Sequence, residues 1–153
     1  MFSVPRARSV AAALLISLAS AGAHALTAQE QSNKELVLAF YEAAINQKDV
    51  DAAVAYIGPK YTQHNPRSPD GAEGLKGFIN GYLKQANPAL KANIKRVVVQ
   101  GDLVVLHVHS VPTPGALGSA IVDIFRVENG KIVEHWDVMQ PVPEKMAHGN
   151  TMF

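Results

Sequence analysis

From Leu90 to Met139 the spacing of apolar residues drops to a period of two, and nothing else in the chain restricts its fold as strongly. The runs LKANIKRVVVQ, DLVVLHVHSV, SAIVDIFRV and KIVEHWDVM are separated by Gly101-Asp102, a Pro/Gly loop from Pro112 to Gly118, and Asn129-Gly130. Apolar runs bounded by turn residues read as strands. Asn-Gly between the last two is a strong short hairpin signal, because both residues tolerate the positive φ of a two-residue turn. Four sequential strands therefore point to an antiparallel sheet.

Upstream the period is helical. Ser32 with Glu35 forms a capping box, and Leu36, Phe40, Ala43 and Ala44 follow at helical spacing, so helix one is expected from about Lys34 to Asn46. Asp49 caps a short second helix carrying Val50, Ala53, Val54 and Ile57, which Gly58-Pro59 stops. YTQHNPRSPDG begins as an extended segment and dissolves into a Pro/Gly loop. Leu75, Phe78, Ile79, Tyr82 and Leu83 then mark an amphipathic third helix that ends at Asn87-Pro88. Gly74, Gly77 and Gly81 form a second stripe on it, expected to permit close backbone contact. Helices first and an antiparallel sheet later give an α+β class, with the helices on one sheet face.

Residues 1–25 read as a secretory signal peptide: Arg6 and Arg8, an apolar stretch from Val10 to Ala19, and Ala23-His24-Ala25 as cleavage site. The apolar stretch is shorter than the ~20 residues a membrane-spanning helix needs, so no membrane association is expected after its removal. A periplasmic or secreted protein is the expectation, with residues 26–153 as one domain. Removing Arg6 and Arg8 from the 14 Lys and Arg leaves 12 against 13 Asp and Glu, a formal charge of −1. Nucleic acid as a partner has no electrostatic support. The absence of cysteine excludes disulfides, thiolate metal sites and cysteine nucleophiles.

Candidate chemistry gathers on the strands. His107 and His109 share a strand face with Leu103, Val105 and Val111, while Asp123 lies between Ile121 and Phe125 on a face of the next strand. A carboxylate between two large apolar residues is costly to bury alone. Pairing centred at residue 116 would bring His109 to Asp123, an arrangement suited to acid–base work. The competing readings are a His–Asp pair that only satisfies itself in the core, and a metal site with His64 or His135 completing His107 and His109. No Glu-x-x-His or cysteine spacing completes a ligand set, so no metal is expected. His64 is either a pocket group or a turn residue. A two-residue Asn-Gly loop pairs Asp123 with Trp136, whereas a loop with a glycine bulge pairs it with His135. The register stays open, and with it whether Trp136 or Asp137 faces the pocket.

The segments YTQHNP, DGAEGLKGFI, HVHS, AIVDIFRVENGKIVEHWDVMQPVPE and GNTMF together resemble the SnoaL-like proteins of the nuclear transport factor 2-like superfamily. The resemblance implies a cone-shaped fold: three N-terminal helices packed on a strongly curved, mainly antiparallel sheet that encloses an apolar pocket. It also implies a homodimer through the convex sheet face, using Val122, Ile124, Val104 and Leu106. By analogy with SnoaL-type polyketide cyclases, which perform an aldol condensation without metal or cofactor, it makes Asp123 the acid–base group and His109 its partner. His107, His64, Trp136, Tyr61 and Phe125 are the expected pocket residues. The functional expectation is a cofactor-free cyclase, isomerase or dehydratase acting on a small, partly apolar carbonyl compound; the alternative is a noncatalytic small-molecule binder.

Overall fold

The computed structural model describes residues 25–153. The expected signal peptide lies outside the described residues except for Ala25. Helix α1 spans Ala28–Tyr41 and continues as a wider π-helical segment, Glu42–Gln47, that stops at Lys48 with φ 58°. The capping box lies N-terminal to the expected Ser32/Glu35 pair: Thr27 accepts from the Glu30 amide at 3.2 Å, and Glu30 accepts from the Thr27 amide at 2.9 Å. Thr27/Glu30 and Ser32/Glu35 both fit the pattern, and tertiary contacts choose the first. Glu30 also accepts from the Gly101 amide and Asn33 donates to the Gly101 carbonyl, which pins the helix start to the first strand turn.

Asp49 caps α2, Val50–Tyr56, as expected. The chain then extends directly into β1, Ile57–Gln63, so Gly58 and Pro59 lie inside a strand. Pro59 is tolerated because β1 is an edge strand. Helix α3, Gly71–Gly77, continues as a π-helical segment, Phe78–Ala86, burying Leu75, Ile79 and Leu83. Of its three glycines only Gly74 meets close backbone: a Cβ there would lie 2.0 Å from the Pro69 carbonyl oxygen, whereas Gly77 and Gly81 face open space.

The remaining strands are β2 (Lys91–Gln100), β3 (Leu103–Val111), β4 (Ser119–Glu128) and β5 (Lys131–Pro141). The sheet order is β1-β5-β4-β3-β2, antiparallel except where β1 runs parallel to β5. The architecture is α+β, as expected. One sheet face buries Val104, Leu106, Val108, Ile121, Phe125, Val127 and Ile132 against Val37, Phe40, Tyr41, Ile79 and Leu83 of the helices. Val104 and Leu106 belong to this core and are fully buried, which removes them from the convex surface proposed for dimerisation.

Two register facts place every polar side chain. Strand β3 meets β4 with Leu106 opposite Asp123 and His109 opposite Ala120. Asp123 therefore shares its face with the even-numbered residues of β3, and His107 and His109 face the other way. The physical reason is the composition of the two faces: Val104, Leu106 and Val108 are purely apolar, and burying them leaves no imidazole to desolvate. At the next hairpin Asn129 and Gly130 both take positive φ, and Glu128 pairs with Lys131 across the two-residue turn. A register shift between Arg126 and Val127 then leaves Val133 unpaired, so that Asp123 comes opposite Asp137. Neither expected register holds along the whole strand. Gly58 helps to make room for this bulge, since its Cα hydrogens sit where a side chain would lie 3.0 Å from Val133.

Candidate functional site

Between the helices and the buried sheet face lies an open-mouthed cavity of about 370 Å³, within the range of small-molecule pockets. Its walls are mainly apolar, with Phe40, Phe78, Leu83, Leu90, Ile121 and Phe125 among them. Polar groups of β1, β5 and β4 gather on one wall, and Arg67 and Ser68 of the loop after β1, Glu73 of α3 and Ser110 of β3 line other parts of it. Asp123, 5% exposed, is held from two directions: Tyr41 donates its hydroxyl proton to Oδ2 at 2.9 Å, and Nε2 of His135 lies 3.1 Å from Oδ1. The other ring nitrogen of His135, Nδ1, lies 2.9 Å from Oε1 of Gln63. The ring stacks on Phe125 with centroids 4.6 Å apart.

The network reaches outward from there. Gln63 donates to the Tyr61 hydroxyl at 3.3 Å, and the Asn65 backbone amide donates to Gln63 Oε1 at 2.9 Å. The Asn65 side chain donates to Oδ2 of Asp137 at 2.7 Å. Asp137 is half-buried and lines the cavity, and among the described residues no group donates to its other carboxylate oxygen. Burial, first, and then the negative charge of Asp123 hold the Tyr41 phenol well above its ordinary value. The same two causes, in the same order, push up Tyr61. Both phenols therefore remain protonated donors through neutral and moderately alkaline solution. Every buried side-chain nitrogen and oxygen among the described residues has a hydrogen-bond partner, so the centre is polar without being frustrated.

The expected site residues divide between the two sheet faces. Asp123, Tyr61 and Phe125 line the cavity. His109 does not approach Asp123: its Nε2 donates to the Leu117 carbonyl at 2.8 Å and its ring stacks on Phe153 at 4.3 Å. His107 accepts from Arg96 at Nδ1 and also packs on Phe153. His64 bonds Glu134 at 2.9 Å and stacks on Trp136 at 4.7 Å, and Trp136 lies opposite Ile124 on the convex face. His107, His109, His64 and Trp136 are thus all outside the pocket, because a side-chain period of two turns each register change into a change of face.

Tyr41, Gln63 and Asn65 were not among the expected site residues, while His135 and Asp137 entered only as alternatives, His135 as a metal ligand or cross-strand partner of Asp123 and Asp137 in place of Trp136. Tyr41 was legible, since Val37, Phe40, Tyr41 and Ala44 fall at i, i+3, i+4 and i+7, a better buried stripe than the one beginning at Leu36. No local signal marks Gln63 and Asn65, whose roles come from the parallel pairing of β1 with β5. Among the described residues no group of three or more His, Cys, Asp or Glu side chains is arranged to hold a metal ion.

A helix-backed curved sheet with an apolar pocket and one polar wall defines a cone-shaped α+β domain of the nuclear transport factor 2-like type. A family profile described as a SnoaL-like domain matches residues 37–135, and the chain belongs to that family. Among solved structures it is similar to TsrD from Streptomyces laurentii, at 26% identity over 71% of this chain and 88% of that one, with a TM-score of 0.59. A provisionally assigned SnoaL-like polyketide cyclase from Jannaschia sp. CCS1 gives 22% identity, 76% and 90% coverage and a TM-score of 0.63. AclR from Streptomyces galilaeus, provisionally assigned as a hydroxylase, gives 24%, 72%, 90% and 0.60. A comparison with curated proteins finds no match.

Proposed function

We propose that the protein is a cofactor-free acid–base enzyme acting on a small, partly apolar carbonyl compound, with Asp123 as the proton-transfer group and His135, rather than His109, as its partner. The observation that carries this reading is a buried carboxylate paired with an imidazole on the wall of an open, mainly apolar cavity. Such pairs cluster at functional sites. Each carboxylate oxygen of Asp123 has a second lone pair beyond the one used by Tyr41 or His135, so the group retains proton-accepting capacity.

In the proposed step a carboxylate oxygen takes the acidic C–H proton, and the C–H electron pair passes into the enolate. Tyr61, whose hydroxyl oxygen accepts from Gln63, has its own proton available to the developing oxyanion. The abstracted proton then returns, to carbon in an isomerisation or to the new alkoxide in an aldol condensation. Asp137, with its open oxygen, is the second proton acceptor on the same wall. Membership of the SnoaL-like family, whose resemblance implies an intramolecular aldol condensation, supports that reaction as one form of this chemistry.

The test is a turnover screen of small ketones and 1,3-dicarbonyl compounds with wild type and Asp123→Asn. General acid–base catalysis contributes ~10²–10⁴ in rate, and a loss of that size is expected. Turnover that survives the substitution removes Asp123 from its role, and tight ligand binding without any turnover favours the noncatalytic binder that the apolar lining would also suit.

Two further parts of this reading concern the molecule's surroundings. Export to the periplasm or medium rests on the leader sequence, and N-terminal sequencing of the protein made in its own host checks for cleavage near Ala25. A homodimer through the convex face rests on Val122, Ile124 and Val138, of which Val138 is 68% exposed. Sedimentation of wild type and Val138→Asp reads its presence, and a monomeric wild type overturns it.

A further inference from the structure

We propose that Gln63 is a positioning residue that holds one ring proton of His135 at Nδ1 and so leaves Nε2 as the nitrogen that exchanges a proton with Asp123. The argument starts from a group that has no choice. The Asn65 backbone N–H can only donate, so the end of the Gln63 amide that faces it at 2.9 Å is the oxygen. That same oxygen lies 2.9 Å from Nδ1 of His135. A carbonyl oxygen only accepts, and so Nδ1 carries a hydrogen. Rotating the amide by half a turn would set its NH₂ against the Asn65 N–H, which excludes the alternative orientation.

With Nδ1–H settled, the other ring nitrogen is constrained in turn. Nε2 and Oδ1 of Asp123 are 3.1 Å apart, and two bare lone pairs would repel at that distance. One proton lies between them, as imidazolium facing carboxylate or as neutral imidazole facing carboxylic acid. Tyr41 donates to Oδ2 in either state. The ring cannot adopt the tautomer with Nε2–H and a bare Nδ1 without losing its bond to Gln63. The titratable groups around it, Asp123, Asp137, Tyr41 and Tyr61, all lie on the cavity side, and none of them replaces Gln63 at Nδ1. The catalytic consequence rests on the acid–base reading above: Gln63 holds one ring proton at Nδ1, so the proton between Nε2 and Oδ1 can pass to Asp123 and leave a neutral, still hydrogen-bonded ring.

The experiment is ¹⁵N NMR of the histidine rings in the full chain, with His135→Gln identifying the His135 signals. In wild type, Nδ1 is expected to show the chemical shift of a protonated nitrogen throughout the range in which free histidine titrates. Gln63→Leu removes the acceptor, and a switch of the neutral ring toward bare Nδ1 is expected. Gln63→Glu keeps an acceptor, and Nδ1–H is expected to persist. A bare Nδ1 in wild type overturns the proposal, and so does a ring unchanged in a folded Gln63→Leu protein; the wild-type measurement decides even if that variant does not fold. If turnover is found, Gln63→Leu lowers kcat by about tenfold or more with KM little changed, within the ~10²–10⁴ span of general acid–base effects, and Gln63→Glu retains it better. The ring measurement needs no substrate, so a confirmed tautomer with no turnover refutes the enzyme reading and leaves the positioning role standing.

Discussion

The two faces of the sheet each carry histidines, and they use them in opposite ways. On the concave face His135 is 12% exposed and Asp123 7% by side chain, with the two ring nitrogens committed to Asp123 and Gln63. On the convex face His107 and His109 stack on Phe153, with Lys95 5.6 Å above the same ring and Arg96 bonded to His107. The difference is one of solvent. Removing water strengthens the interaction between an imidazole and a carboxylate, whereas the same ring at a surface has its charge screened. A histidine in a strand therefore says little about chemistry until its face is known.

Four measurements break or sharpen this contrast. The largest effect is expected from exchanging the roles of the two faces: His135→Gln lowers turnover by ~10²–10⁴, and His109→Gln leaves it within a factor of about two. Comparable losses in both variants would mean that the convex face takes part in the chemistry. Next comes stability. Phe125→Ala removes the ring that packs edge-on against Phe40 and Tyr41 and supports His135, and it should cost ~3–5 kcal/mol in denaturant unfolding.

A third, smaller effect is expected from Tyr41→Phe, which leaves Oδ2 of Asp123 without its donor and costs about 1–3 kcal/mol near neutral pH. The sign of its pH dependence follows from the raised phenol. Above a pH of ~10 the unfolded chain releases the tyrosine proton and the folded chain keeps it, so wild-type stability falls as pH rises. Thermal melts on either side of that value should show a shallower alkaline decline in Tyr41→Phe, with Tyr61 supplying the remainder. An identical decline in both proteins would sink the assignment. The smallest effect is Val138→Ala on the exposed face, expected within about 0.5 kcal/mol of wild type by the same unfolding assay.

Much of the fold was legible because its signals are local. The strand boundaries, the Asn129-Gly130 hairpin, the Asp49 cap and the buried Leu75, Ile79 and Leu83 stripe depend on neighbours a few residues away. The start of α1 was displaced because two capping boxes compete, and contacts to Gly101 from 68 and 71 residues away decide between them. Within the site, Asp123 stood out as a carboxylate between Ile121 and Phe125, and its burial follows from those neighbours. Its partner did not stand out, because His109 and His135 satisfy the same alternation rule.

The sequence by itself therefore determined strands β2 to β5, the helices, the α+β class and the need for a partner at Asp123, but not the start of β1 at Ile57. Tertiary structure alone decided which histidine answers that need. A strand reverses its side chains at every residue, so an unpaired Val133 and the length of the 112–118 connection select the face. The parallel pairing of β1 with β5 brings in Gln63. These are matters of which backbone atoms meet across the sheet, and that choice is driven by burying Val104, Leu106 and Val108 rather than the imidazoles between them.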